Sequence, residues 1–557
     1  MVQLIKRYKA ELMITAAGML CFIPFIGSLH LFDWDEINFA ESAREMIQTG
    51  DFLTVRIDYL PFWEKPPLFI WFQVLSMKVF GINEFAARFP DAICGIVTLV
   101  ILFRLGRRIY DQQFGYIWVL AYTGSILPFV YFKSGIIDPW FNLFIFLGLV
   151  EFILMILAEQ TKERYYRAIL SGVFIGLSIL TKGPAGLLLF ILTVGVFWII
   201  NRFRLKTNWK EILICAGVTV LVGGIWFIIQ VLSGNYQLIA DFIVYQLRLF
   251  KTEDAGHGGF ILYHFVILLL GVFPSSVFAL KSILRNYYDN NIQKKFKIWM
   301  IILLVVILTV FTLVKTKIIH YSSLAYFPIT YLATCTVYKI LNNHVRKFAW
   351  VNYLYVIIGV IYAVVIAACP FIMQNKDRII SSGLIDDMFT LGNLQADVKW
   401  SGWEALPGIV FFAGLVLFLI MLRFRKRMAY VLMFINVTLL TYLTLLFFIP
   451  RVEGYSQNTL IEFCKERQHE DCYIKTLDMR SYAPLFYAVK KYPVRPESRK
   501  SKWLIEGNID KPVYFILRNK NAGKYLEQYR QLYIFKEKNG YVFLKRDPVI
   551  STGTGIK

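Results

Sequence analysis

Long apolar runs alternate with short polar loops over the first 450 residues. Runs of spanning length, or shorter runs that span if tilted, begin near Leu12, Arg88, Phe114, Asp138, Ala168, Pro184, Ile212, Phe260, Ile298, Tyr321, Ala349, Leu406 and Met428. A bilayer core takes about 20 apolar residues to cross, so the pattern predicts about thirteen transmembrane helices. Within Ala168–Ile200 the tetrad Thr181-Lys182-Gly183-Pro184 interrupts one apolar stretch, which favours a tight turn between two helices over a single tilted one. After Pro450 the chain turns polar. Helical patterns at Thr459–Gln468 and Pro484–Lys490 alternate with strand-like runs at Cys472–Lys475 and Pro512–Leu517. Leu532–Glu537, Asn539-Gly540 and Tyr541–Leu544 then read as a two-residue hairpin. The expected division is a transmembrane part over 1–450, with an active-site loop over 33–87, and a small α/β domain over 451–557.

Composition agrees with this all-α polytopic membrane class. The 557 residues are 57% hydrophobic, above the roughly 45–50% of soluble domains. The net charge of +22 sits in clusters between apolar runs instead of on one soluble face, so it argues for membrane topology and against nucleic-acid binding. With thirteen spans the clusters Lys6-Arg7-Lys9, Arg104-Arg107-Arg108, Lys162-Arg164-Arg167, Arg202-Arg204-Lys206-Lys210, Lys294-Lys295-Lys297, Arg346-Lys347 and Arg423-Arg425-Lys426-Arg427 share one face. That face is expected to be cytoplasmic, with the N-terminus on it and no cleaved signal. Residues 33–87, Lys133–Asp138, Ser233–Gly259, Lys315–His320, Met373–Trp403 and the tail then lie outside. Five cysteines belong to apolar runs. Cys464 and Cys472 in the tail suit either a disulfide or two free thiols.

The segment FDWDEINFAESAREM, followed by FWEKPPLF, places Asp33, Asp35, Glu36, Glu64 and Lys65 at the outer membrane edge. Ionisable groups there are costly and point to function. Ile37, Ala40, Ala43 and Ile47 recur at helical spacing, predicting an amphipathic helix on the outer membrane surface. Asp33 or Asp35 can equally be a plain helix cap. Pro66-Pro67 stiffens the chain after Lys65 and presents that lysine as a counter-charge for a phosphate, against the plainer readings of an ion pair with Glu64 or a snorkelling lysine. Asp138 is a third outer acid, or a cap ahead of Pro139. Such a set suits transfer of a group from a lipid phosphate, with the lysine stabilising the leaving phosphate and an Asp acting as base.

The succession D-E, A-E-x-A-R-E-M, F-W-E-K-P-P-L and E-F-A-A-R-F-P (Glu84–Pro90) resembles the GT-C class of membrane glycosyltransferases, and within it the bacterial aminoarabinose transferases of lipid A and protein O-mannosyltransferase-like enzymes. The resemblance is dense from Asp33 to Pro90 and thinner through Asp138, Leu180–Pro184 and Lys315–Pro328. It implies an inverting enzyme of the bacterial inner membrane that takes a sugar from a polyprenyl (undecaprenyl) phosphate carrier at the periplasmic face, without a nucleotide sugar. It implies Asp35 as the catalytic carboxylate of the first loop, Lys65 facing the carrier phosphate and Asp138 as a second acidic residue of the cavity. Arg248, Lys315, Lys317, His320 and Tyr321 are further candidates for donor or phosphate contact, with snorkelling an equally good reading of Arg248. Glu64 falls on a zinc-holding position whose histidine partner here would be His257. Two ligands fall short of the usual set, and a solvated histidine in a glycine loop is the plainer reading, so a divalent metal (Zn or Mg) is the one cofactor in question. Aminoarabinose transferases typically read D-E-x-R-Y where this chain has Asp35-Glu36-Ile37-Asn38-Phe39, which opens the choice of sugar and acceptor: lipid A, another glycolipid, or protein. The competing classes are a lipid-linked sugar transporter or flippase, expected to show related halves, and a non-catalytic assembly subunit.

Overall fold

The computed structural model describes residues 8–204, 206–251, 258–284, 289–343, 349–493 and 495–548. Helices dominate. Helix α1 (Lys9–Phe22) leads to α2 (Asp35–Thr49), a short hairpin of β1 (Arg56–Ile57) and β2 (Leu60–Pro61), α3 (Leu68–Phe80) and α4 (Glu84–Ile109). Helices α5 (Asp138–Leu157), α6 (Thr161–Lys182), α7 (Ala185–Ile200) and α8 (Tyr236–Lys251) follow. The α6–α7 turn is made where Lys, Gly and Pro predicted it. Gly183 takes φ +91°, and a Cβ there would lie 2.7 Å from the Phe242 ring of α8.

Among the described residues eight helices are long and apolar enough to cross a membrane, and nine if the bent pair Tyr263–Gly271 and Ser275–Ser282 forms one span. The expectation of about thirteen exceeds this because several apolar runs fold as short helices. Helix α1, with 14 residues, falls outside the count of long helices because it rises only about 21 Å at 1.5 Å per residue, against a core of about 30 Å.

The C-terminal segment forms a four-stranded sheet of β3 (Tyr473–Thr476), β4 (Val513–Arg518), β5 (Tyr533–Lys538) and β6 (Tyr541–Arg546) in the order β3-β4-β6-β5. β3 and β4 are parallel, and β6 is antiparallel to both neighbours. Asn539 (φ 51°) and Gly540 (φ 79°) turn the hairpin, the positive-φ pair that a two-residue loop requires. Cys464 and Cys472 are free thiols.

This segment docks onto the first loop. Leu460, Ile461, Phe463, Phe486 and Phe543 share one core with Ile37, Ala40, Ala43 and Met46 of α2 and Ile70 and Val74 of α3. Helix α2 is therefore no surface helix with a solvated charged face, as its periodicity suggested. Glu41, Arg44 and Glu45 are all buried. Arg44 donates to both oxygens of Glu41 at 2.6 and 2.7 Å, and to the Lys490 carbonyl at 3.0 Å. Lys490 Nζ meets Asp58 at 2.6 Å. The helix carries charge on its outer face because the tail returns to satisfy it.

Candidate active site

The residue after Asp35 explains how the site is held. Glu36 accepts from Arg88 Nε and Nη2 at 2.9 and 2.7 Å, from Gly135 N at 2.6 Å and from Phe32 N at 2.8 Å. Arg88 also donates to the carbonyls of Ile26, Leu29 and His30 at 2.8 to 2.9 Å. Both side chains are buried, and a buried pair is tolerable only when its remaining hydrogen-bond sites are also met. The pair pins three segments together: the stretch before α2, the start of α4, and the loop before Asp138. Asp91 adds a bond from Ile136 N at 3.0 Å. The D-E and A-A-R-F-P motifs thus meet as a brace.

Asp35 takes no part in this brace and lines a cavity instead. Helix α2 has Trp34 at its cap position and no side-chain cap bond, so neither Asp33 nor Asp35 is the cap. Asp33 instead ties to the tail: it accepts from Tyr482 N at 3.1 Å, and its own amide donates to Gln457 at 3.0 Å. Burial pushes the Asp33 carboxyl above the ordinary range, against the hydrogen bonds from Ser481 and Tyr482. Asp35 is 42% exposed and lies 3.7 Å from His320 Nε2. Both line a cavity of about 720 Å³ walled largely by apolar side chains, including Phe25, Ile26, Leu29, Leu445 and Ile449.

Asp138 does not cap its helix either. It pairs with Lys182 at the end of α6, and the Lys182 ammonium lies 5.4 Å from the Tyr321 ring and 5.7 Å from Phe141. A second cavity of about 110 Å³ is lined by Lys65, Asp138, Lys182, Gln246 and Tyr321. Lys65 is held below the usual lysine range, chiefly by burial; Glu64, Asp35 and Asp138 oppose that shift and Lys182 reinforces it. His320 on the wall of the first cavity adjoins Tyr321 on the wall of the second, so Asp35 and Lys65 line neighbouring cavities.

The remaining expected residues divide. Arg248 joins the cluster through Tyr245: its guanidinium lies 5.3 Å and the Lys65 ammonium 5.4 Å from that ring. His320 and Tyr321 ride on the 3-10 segment Ile319–Ala325. That segment is held by Ser323, whose hydroxyl bonds Tyr131 and Asn142 at 2.7 Å each. Lys317 has a different task. Its ammonium donates to the carbonyls of Phe311, Thr312 and Val314 at 2.7 to 2.8 Å, closing the preceding helix. Lys315 is exposed. Glu64 is half-buried beside Lys65. His257 lies outside the described residues, and among those described no group of three or more His, Cys, Asp or Glu could hold a metal. Lys182 was not expected. A lysine ending a long apolar run on the outer face was its sequence signal, but its partner Asp138 lies 44 positions away.

Comparison with known proteins agrees with this geometry. Residues 64–227 match the family model described as dolichyl-phosphate-mannose-protein mannosyltransferase. An undecaprenyl phosphate-alpha-4-amino-4-deoxy-L-arabinose arabinosyl transferase of Yersinia enterocolitica is 28% identical over 49% of each chain. One of Yersinia pestis is 24% identical over 70% of this chain and 68% of its own. The chain thus spans about half the length of the first curated relatives it matches. The crystal structure of ArnT from Cupriavidus metallidurans bound to undecaprenyl phosphate superposes with a TM-score of 0.77, at 16% identity, over 97% of this chain and 98% of that one. The apo form gives 0.75. The chain has the GT-C type membrane fold of these solved structures, and its sequence is similar to bacterial aminoarabinose transferases and to protein mannosyltransferases.

Proposed function

We propose that this protein is an inverting glycosyltransferase that moves a sugar from a polyprenyl phosphate carrier to a lipid-borne acceptor at the outer face of the bacterial inner membrane. The observation that carries the reading is the meeting of Lys65, Lys182 and Arg248 with Asp138 beside one small cavity, and of Asp35 with His320 beside a larger one.

The donor phosphate sits against the Lys65 and Lys182 ammoniums, with Arg248 at the rim. Asp138 orients Lys182. Asp35 faces the side where the acceptor arrives. The acceptor oxygen attacks the anomeric carbon as the bond from that carbon to the phosphate oxygen breaks. The electron pair leaves with the carrier phosphate, whose growing charge the lysines stabilise. A hydroxyl acceptor gives its proton to Asp35; for a phosphate acceptor Asp35 orients the nucleophile. The described donors do not make a metal site, and no step runs through one.

The larger cavity favours an acceptor with apolar chains, such as lipid A or another glycolipid, because its walls are mostly apolar. A protein acceptor is the second reading. It draws on the mannosyltransferase match, but that match spans Glu64, Lys65, Asp138 and Lys182 and stops short of Asp35, so it bears on donor handling. Purified protein supplied with labelled polyprenyl-phosphate sugars and offered lipid A, peptide and glycan acceptors tests the proposal. Label in the lipid fraction supports it. Label in peptide alone moves the acceptor to protein, and label leaving the carrier for none of them defeats it.

A further inference from the structure

A second concave site lies at the far end of α4. Arg104, Arg107 and Arg108 stand 16 to 20 residues beyond Arg88, about 24–30 Å along the helix axis. They are therefore on the opposite membrane face from Asp35. Together with Tyr8 and Glu11 they line a cavity of about 570 Å³.

The construction differs from lysines scattered at a boundary. Glu11 of α1 is buried, and its Oε1 takes both Arg104 Nε at 3.4 Å and Arg107 Nη2 at 3.2 Å. The guanidiniums also stack, Arg104 at 5.9 Å from the Tyr8 ring and Arg107 at 5.2 Å from Phe103. Arg108 reaches Glu163 at 3.5 Å. Three positive charges thus face two carboxylates, and these long bonds engage only a few of the five donors each guanidinium carries. The arginines are oriented, about half exposed, and in surplus.

We infer that this pocket binds the headgroup of an anionic phospholipid in the leaflet opposite the candidate active site. The forked donors match phosphate oxygens bidentately, and basic pockets between membrane helices on the cytoplasmic side take such headgroups. A lipid is favoured over a free anion because α1 beside the pocket exposes Leu12, Met13, Met19 and Leu20 along its length, a surface for acyl chains.

The test is native mass spectrometry of detergent-purified protein loaded with phosphatidylglycerol, cardiolipin, phosphatidylethanolamine or phosphatidylcholine. Wild type should retain the two anionic lipids and not the two zwitterionic ones. Arg104→Gln with Arg107→Gln should weaken retention about thirtyfold. Glu11→Ala, which frees the same arginines, should strengthen it, a gain that misfolding would not produce. Equal retention of all four lipids, no change in the double variant, or displacement of bound lipid by millimolar inorganic phosphate alone would each overturn the proposal.

Discussion

Lys65 sits in a position where its charge is both needed and costly. Burial holds its ammonium below the ordinary lysine range, with Glu64, Asp35 and Asp138 supporting the charged form. Phosphate binding requires that charged form, so donor affinity should fall as pH rises through the lowered pKa, earlier than for a solvated lysine. Binding of undecaprenyl phosphate followed from pH 7 upward checks this, and Lys65→Arg should move the alkaline fall to higher pH. Lys65→Met should weaken binding by about 10- to 100-fold, the loss expected for a charge-assisted hydrogen bond. An affinity independent of both pH and substitution would remove Lys65 from the phosphate site. Glu45 tests the buried charges of α2. Burial and the neighbouring Glu41 raise its carboxyl well above the ordinary range, although Arg44 and the Tyr59 amide oppose the shift. A raised carboxyl pKa means the folded state holds a proton that the unfolded chain gives up. Stability is then fully present below the unfolded value and is lost as pH rises towards the folded one. Thermal midpoints in detergent should decline from mildly acidic to alkaline pH, and Glu45→Gln should flatten that slope.

The brace between α2 and α4 shows which links the sequence could carry. The motif residues Glu36 and Arg88 were visible, but their partnership spans 52 positions and is made by folding. Lys182 with Asp138 is the same case, and so is the burial of α2, whose charged face looks solvent-bound until the tail covers it. Local chemistry was more legible. Gly183-Pro184 announced the α6–α7 turn and Asn539-Gly540 the last hairpin, because a positive φ and a missing amide are properties of the residue itself. Helix number was harder to read, since a run of apolar residues does not disclose whether it crosses the bilayer whole, bent or broken. Removing one member of the brace strands a buried charge. Arg88→Met should therefore destabilise by about 3–5 kcal/mol, and the double change Glu36→Gln with Arg88→Met should cost less than the two singles summed. Thermal unfolding of the four proteins decides it, and strict additivity would mean the pair does not act as a unit.

Across the molecule, the tail and the first loop form one packed unit over the site. Leu31 N donates to Tyr487 at 2.6 Å, Gln457 donates to the Leu31 carbonyl at 2.9 Å, and Lys490 meets Asp58. Lys490→Ala should loosen this cover, seen as faster proteolysis of the tail, while cleavage at the opposite membrane face stays at the wild-type rate. On the proposed reading Asp35 activates or orients the acceptor while the lysines hold the phosphate of the donor's carrier. Sugar transfer and carrier binding, measured side by side in Asp35→Asn, separate the two roles. Turnover should fall by about 10²–10⁴-fold with undecaprenyl phosphate still bound at wild-type affinity. Turnover near wild type would contradict this reading, as would a loss of carrier binding large enough to explain the loss of turnover.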